Sequence, residues 1–219
     1  VDCRTQGSGE TRAHTLAQLQ VLDAGYGYTA DNGASFPFRG QGVGMIKSLA
    51  QVLQAFPDAH FLINQKDRNP ATTALIATTV DAHGAAGRVC LMAKAHLNSQ
   101  YLDTPPATAK RCTMADRQQI KRCVVDYLTT GWTGYLPASC MGQTLTLPDW
   151  ALMRLLWGWP GTFIDRIRAS GGRVHMWTDD PKRALALRTL GVDGILTDRI
   201  ELMGCVQPHS SCSNKVPAP

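Results

Sequence analysis

An α/β fold built on a parallel sheet is predicted by three features of the sequence. Short apolar runs alternate with amphipathic segments of helical period, which is the order that builds βαβ units. These runs lack strict polar alternation, as is typical of strands buried on both faces. The 219 residues are 44% hydrophobic and 18% charged, which is enough for one globular domain with a sizeable core. An open doubly wound sheet and a closed (β/α)₈ barrel both fit this pattern.

The predicted strands and helices follow one another along the chain. Six strands are predicted, at His60–Asn64, Arg88–Ala93, Arg111–Met114, Gly134–Pro137, Val174–Trp177 and Gly194–Thr197. Helices are predicted at Thr15–Leu22, Pro70–His83, His96–Leu102, Asp116–Leu128, Leu147–Trp157, Gly161–Ala169 and Pro181–Leu190. Asp116 is expected to cap its helix, and Asp179 and Asp180 are also expected to be helix caps, since Pro181 suits a first helical turn. No GxGxxG follows a strand, which disfavours a dinucleotide-binding fold.

One domain is expected over residues 1–219, in three parts. Residues 1–45 are rich in glycine and turns, and a loop of this length in a compact domain is usually functional or capping. Residues 46–204 carry the repeated strand–helix units, and residues 205–219 form a tail. The first residue is Val1, so we expect a start that is processed, cut or incomplete.

Charge and hydropathy exclude several classes of protein. The net charge of +5 is spread along the chain without a basic run or a recognition motif, so no nucleic-acid partner is expected. No apolar run reaches the length of about 18 residues that a membrane span needs. A local site for a phosphate or another anion fits the modest positive excess.

The seven cysteines contain no CxxC pair, which disfavours a zinc ribbon or a thioredoxin-like site. Cys90 and Cys112 lie in strand-like runs and are predicted to be small core residues. The candidates for disulfide bonds lie in more polar surroundings and are Cys123, Cys140, Cys205 and Cys212. Disulfides among them would favour a periplasmic or secreted location.

Four stretches of the chain carry a recognisable pattern. They read VDCRTQGSGETRAHTLAQLQVLDAGYGYT, FPFRGQGVGMIKSLAQVLQAFPDAHFLINQKD, GWTGYLPASC with LLWGWP, and VHMWTDDPKRALALRTLGVDGILTDR. In this order, and over nearly the whole chain, they resemble the glycerophosphodiester phosphodiesterase family, whose barrels are like those of phosphatidylinositol phosphodiesterases. The resemblance implies a TIM (β/α)₈ barrel with its site at the carboxyl ends of the strands. The family's upstream His-Arg, Glu-x-Asp and His-Asp motifs have no counterpart here, so we expect a barrel incomplete at its amino terminus, with six of eight strands.

The resemblance also assigns roles to residues. The family's Glu-x-Lys becomes Asn64-Gln65-Lys66, which puts Asn64 at a metal-binding position and Lys66 at a catalytic, phosphate-binding one. An amide oxygen can bind a hard cation without contributing charge, so binding of Mg or Ca is expected to be weak or absent. Trp177, Arg39 and Lys94 are predicted to contact substrate, Trp177 as a wall of the pocket.

Two functions remain open at this stage. The first is a phosphoric diester hydrolase of lipid metabolism, in which a metal assists hydrolysis of glycerophosphodiesters or of lysophospholipid-like substrates. The second is a non-catalytic or truncated barrel that binds a phosphate ligand or a partner, and the missing motifs leave the enzyme assignment open. A small phosphodiester or lipid head group is the expected partner. A membrane surface is a further candidate through Trp150, Trp157 and Trp159, and a second copy of the chain is another.

Overall fold

The computed structural model describes residues 1–2, 4–29, 31–105, 111–148 and 151–206. Within these ranges the strands are Phe61–Asn64 (β1), Val89–Met92 (β2), Cys112–Thr113 (β3), Thr144–Pro148 (β4), Arg173–Trp177 (β5) and Gly194–Leu196 (β6). The α-helices are Leu16–Gln20 (α1), Leu49–Ala55 (α2), Pro70–Ala82 (α3), Ala95–Asp103 (α4), Arg117–Thr130 (α5), Gly161–Ala169 (α6) and Pro181–Thr189 (α7). Short 3-10 turns occupy Thr11–Ala13, Ala86–Arg88, Gly131–Thr133, Ala151–Leu155 and Ile200–Val206. None of these helices is long and apolar enough to cross a membrane.

The strands are parallel and lie side by side in chain order. One sheet has the order β1-β2-β3 and the other the order β4-β5-β6. The amide of Ala115, just after β3, donates to the Thr144 carbonyl at 2.9 Å and so connects the two sheets. A doubly wound sheet reverses its strand order at a switch point, and no reversal occurs among the described strands. The arrangement therefore follows the order of a (β/α) barrel.

Along each strand, successive side chains point alternately toward the helices and toward the opposite face of the sheet. In β4 and β5, Leu145, Leu147, Val174 and Met176 are fully buried against α5 and α6. The intervening residues lie on the other face, because successive side chains of a strand point in opposite directions. This second face, which the helices do not cover, is called the inner face below.

Several predicted helix starts are confirmed. The Asp116 carboxylate accepts hydrogen bonds from the amides of Gln118 and Gln119, each at 2.9 Å, and the Gln119 side chain completes a capping box. Asp180 accepts from the Lys182 amide at 2.9 Å, with a proline in the first turn of α7. Asp179 does not cap α7, and its bonds are described with the site.

Two predicted elements in residues 131–157 are wrong. Gly134–Pro137, predicted as a strand, is not one: Gly134 lies in a turn with a φ of 90° after the 3-10 turn, and residues 135–137 have no regular secondary structure. The strand is instead Thr144–Pro148, whose threonines and leucines alternate with the period of a strand. The predicted helix over 147–157 is therefore replaced by the end of β4 and a 3-10 turn at Ala151–Leu155.

Disulfide bonds change the interpretation of the cysteines. Cys90 and Cys112 are not separate core residues. They are register partners on β2 and β3 and form a disulfide bond, with their Cα atoms 4.4 Å apart. A second bond joins Cys123 of α5 to Cys140, in the turn that precedes β4. Cys123 and Cys140 were both among the predicted disulfide candidates. Cys3 and Cys212 lie outside the described residues.

Candidate active site at the carboxyl edge of the strands

Parallel strands place their carboxyl ends at one edge, where (β/α) barrels carry their sites. Asn64 ends β1 and is exposed, and Lys66 follows two residues later, also exposed. Between them, the Gln65 side chain accepts a hydrogen bond from the Thr73 hydroxyl of α3 at 2.9 Å and donates to Asp67 at 2.8 Å. Because Gln65 points toward α3, Asn64 and Lys66 lie on the inner face.

Lys94 follows β2 at the same edge and is exposed. The residues on either side of it are held by buried or capping side chains. The Asn98 amide oxygen accepts from the Ala93 amide at 3.1 Å, and Asp116 accepts from the Ala95 amide at 3.0 Å. Asn98 also donates to the Met114 carbonyl at 2.8 Å, which joins the ends of β2 and β3. The backbone at Lys94 is thus fixed while its ammonium group is in solvent.

Trp177 ends β5 and keeps 42% of its surface exposed. Beyond it, Asp179 accepts hydrogen bonds from the Thr197 hydroxyl at 2.7 Å and the Asp198 amide at 2.8 Å. These bonds lower the pKa of Asp179, and the bond from Thr197 has the largest effect. The prediction that Asp179 caps a helix is wrong: its carboxylate joins the ends of β5 and β6 beside Trp177.

Arg39 makes its contacts within the loop of residues 23–45. Its Nε donates to the Tyr26 carbonyl at 3.1 Å, and its guanidinium lies over the rings of Tyr26 and Phe36 at 4.2 and 3.9 Å from their centroids. The same loop is organised by Asp23, which accepts from the amides of Gly25, Gly40 and Gly42 and whose pKa is lowered. Arg39 therefore belongs to this loop. Asn64, Lys66 and Lys94 lie together at the ends of β1 and β2, and Trp177 lies at the end of β5, three strands from β2.

Sequence reasoning missed His175, which lies on the inner face two residues before Trp177. Its Nδ1 is buried without a hydrogen-bond partner, as is the hydroxyl of Thr146, its register partner on β4. Burial lowers the pKa of His175, so its ring is neutral at pH 7. A Cβ added at Gly194 would lie 2.5 Å from Cδ2 of His175, so the glycine makes room for the ring. Strand alternation in RVHMW, which places His175 on the same face as Trp177, was the available signal.

The tryptophans outside the strands occupy different surroundings. Trp157 is 50% exposed and donates from Nε1 to the Leu128 carbonyl at 3.2 Å. Trp159 packs against the core, with its ring 5.7 Å from that of Phe163. Trp150 lies outside the described residues.

The described residues do not by themselves fit a divalent metal site. No group of three or more His, Cys, Asp or Glu side chains among them could hold an ion. Asn64 offers one neutral oxygen, whereas Mg and Ca favour several oxygen ligands that include carboxylates. Three carboxylates at this edge, those of Asp67, Asp116 and Asp179, already accept bonds from neighbouring amides and hydroxyls.

Comparison with known proteins gives one family. The profile of the glycerophosphoryl diester phosphodiesterase family matches residues 1–202. The glycerophosphoryl diester phosphodiesterase domain of an uncharacterized Mycobacterium tuberculosis protein aligns with a TM-score of 0.70 at 18% identity, covering 94% of this chain and 80% of that one. The glycerophosphodiester phosphodiesterase from Agrobacterium tumefaciens aligns with a TM-score of 0.60 at 22% identity, covering 93% and 76%. No curated protein sequence matches the chain significantly.

Proposed function

The chain belongs to the glycerophosphoryl diester phosphodiesterase family, and on that premise we propose that it hydrolyses glycerophosphodiesters at the carboxyl edge of its strands. The family assignment supports phosphodiester hydrolysis in general. The observation that carries the choice of site is the exposure of Lys66 and Lys94 on neighbouring strands, on the face that the helices do not cover. We propose that the six strands form an arc of a (β/α)₈ barrel around this face.

In this proposal Lys66 binds the phosphoryl group of the substrate. A phosphodiester is an anion, and negative charge develops further on its oxygens as the bond to the leaving alcohol breaks. An ammonium group placed there stabilises that charge more in the transition state than in the ground state. Trp177 supplies an apolar wall against the glycerol or head group, since 42% of its surface remains exposed.

A divalent cation would supply charge stabilisation at the phosphoryl group in the family's chemistry. Asn64 is the described residue at the expected position, and as a neutral amide it can contribute one oxygen ligand. The donor set of the described residues does not complete a site. For this reason we derive no step through a metal and assign to this chain only substrate binding and charge stabilisation.

The second candidate is a non-catalytic fold that binds a phosphate ligand. It is favoured by Asn64, which carries no charge where the family has a carboxylate, and by the scarcity of uncommitted carboxylates at the described edge. Both candidates use Lys66 in the same way, because binding of a phosphate anion precedes its hydrolysis. They differ in whether product is released.

Turnover separates the two. We expect the chain to release glycerol phosphate from glycerophosphocholine, measured with and without a chelator. Lys66→Ala should lower kcat/KM by about 10²-fold, a typical effect of removing one group that stabilises transition-state charge. Lys121→Ala is the matched control, because Lys121 is an exposed lysine on α5, away from the strand edge. Binding without turnover in the wild type would favour the second candidate, and neither binding nor turnover would refute both.

We also propose a periplasmic or secreted location. Two disulfide bonds in one small domain are typical of proteins that mature in an oxidising compartment. Alkylation of protein taken from cells without reductant, followed by mass spectrometry, tests this proposal. Modification of Cys90 and Cys123 in native material would contradict it.

A further inference from the structure

We infer that Lys94 binds a second anionic group of the substrate, so that the preferred substrates are glycerophosphodiesters whose alcohol carries an additional phosphomonoester. This inference rests on the proposed function, in which Lys66 binds the phosphodiester itself. It concerns the choice among substrates, which the family assignment leaves open.

The two lysines lie side by side at the edge. Asn64 of β1 pairs in register with Met92 of β2, and the ladder continues by one bond, from the Gln65 amide to the Met92 carbonyl at 3.0 Å. Lys66 and Lys94 each follow two residues after this pair. Neighbouring strands are about 4.8 Å apart, so the two backbones deliver their lysines to adjacent positions.

Both side chains point to the inner face. Ala93 is buried among the residues that α3 and α4 cover, and Lys94 is therefore directed away from those helices. Gln65 is bonded to Thr73 of α3, which directs Lys66 to the same side. Two ammonium groups thus share one face of the sheet, where like charges at neighbouring positions repel each other.

No carboxylate of the described residues neutralises this pair. Neither lysine has an ion-pair partner within 4.0 Å in the described parts of the chain. Asp67, next to Lys66, is held on the α3 side by Gln65, the Asn69 amide and the Thr72 hydroxyl. Asp116 is bound to the first amides of α5 and to the Ala95 amide. One phosphodiester carries a single negative charge, so the paired cations have capacity for a further anion.

The backbone at Lys94, the N-cap residue of α4, is held on both sides. Asn98, which is only 5% exposed, binds the preceding amide, and Asp116 binds the following one. The Lys94 carbonyl accepts from the amides of Leu97 and Asn98, each at 2.9 Å. Fixing the Cα of a charged residue reduces the entropy lost when it binds a ligand. This geometry suits a residue that selects a ligand.

Two substrates that differ by one phosphomonoester test the inference: glycerophosphoinositol and glycerophosphoinositol 4-phosphate. We expect the wild type to prefer the phosphorylated compound by about tenfold in kcat/KM, as one charge-assisted contact can supply. Lys94→Ala and Lys94→Met should remove that preference, and Lys94→Arg should restore it in part. Lys121→Ala should keep the wild-type ratio, and circular dichroism of each variant checks that it is folded.

The failure of the inference is distinguishable from that of the proposed function. If the wild type turns over neither these compounds nor glycerophosphocholine, the hydrolase proposal fails, and calorimetric binding of the same two inositol compounds then tests Lys94. Turnover of glycerophosphocholine with no turnover of either inositol compound would leave the hydrolase proposal standing and overturn the inference. Tighter binding of the phosphorylated compound, lost in Lys94→Ala and Lys94→Met, would support the inference. The inference would be overturned if the wild type showed no preference between the two compounds. It would also be overturned if the preference survived in Lys94→Ala and Lys94→Met.

Discussion

The two three-stranded sheets are covered by the same kind of helices but are stabilised differently. The β4–β6 half packs on one large core of fifteen buried residues, which include Tyr127 and Phe163. The β1–β3 half has two separate clusters of five buried residues each. The β1–β3 half also has a buried ion pair between Arg111 and Asp81, whereas each half has one disulfide, Cys90–Cys112 in this half and Cys123–Cys140 in the other. Lys66 and Lys94, the charged groups of the candidate site, belong to the β1–β3 half, so the proposed anion-binding residues lie in the half with less apolar packing.

The largest expected effect tests the apolar core. Phe163→Ala should lower the free energy of unfolding by about 3–5 kcal/mol, because the ring is fully buried and its removal leaves a cavity. Leu62→Ala on β1 should cost about 1 kcal/mol or less, since Leu62 is 36% exposed on the inner face. Urea denaturation followed by circular dichroism measures both. Equal losses would contradict the difference in burial between these two positions.

The buried ion pair should matter almost as much. Arg111→Ala leaves the Asp81 carboxylate, whose side chain is 7% exposed, without its partner, and should cost about 3–5 kcal/mol. Replacing both residues by apolar ones should recover most of that loss, because the unpaired charge is then gone. Arg122→Ala is the control, as its pair with Asp126 is exposed and should contribute little. A double variant as unstable as Arg111→Ala would contradict this account.

The disulfide of the β1–β3 half should contribute about 3 kcal/mol, from the entropy that a closed loop of this length removes from the unfolded chain. Its cysteines are separated by 22 residues, against 17 for Cys123–Cys140. Cys90→Ala with Cys112→Ala should therefore lower the midpoint of unfolding about as much as the equivalent change at Cys123 and Cys140. A much smaller loss would show that the first half does not depend on its cross-link.

The smallest expected effect is a pH dependence from His175. Burial lowers the pKa of His175 in the folded protein, so the unfolded chain takes up the proton more readily. The stability associated with the neutral ring is complete above the unfolded value of about 6.5 and decreases as the pH falls below it. His175→Gln should reduce this decrease, measured as the free energy of unfolding between pH 7.5 and pH 5. Parallel profiles for the wild type and the variant would refute the effect.

Local signals predicted most of the elements. The helices after Asn69, Asp116 and Asp180 begin where a capping side chain precedes a periodic apolar pattern, and each is confirmed. The failure at residues 134–157 has a local cause as well. A short apolar run with glycine and proline resembles a strand, and periodicity could not separate it from the true strand at Thr144–Pro148.

The candidate site was predicted only residue by residue. Asn64 and Lys66 could be named from the resemblance to the family's Glu-x-Lys, and Lys94 and Trp177 because each ends or follows an apolar run. Nothing in the sequence placed Lys66 beside Lys94. That placement depends on the register between β1 and β2, which hydrogen bonds between distant segments determine. His175 was missed for a related reason: strand alternation places it on the face of Trp177, but the run alone does not show that the helices leave this face uncovered.

By itself, the sequence determined the family, the parallel α/β class and the alternation of strands and helices, because these depend on patterns within short stretches. Only the tertiary structure decided which cysteines are bonded, that Asp179 joins two strands and that Arg39 stacks on aromatic rings of its own loop. It also decided that two lysines 28 positions apart in the chain are neighbours. The physical reason is that such contacts form only after the strands have paired, and their geometry depends on register and on the face of the sheet rather than on neighbours in the chain.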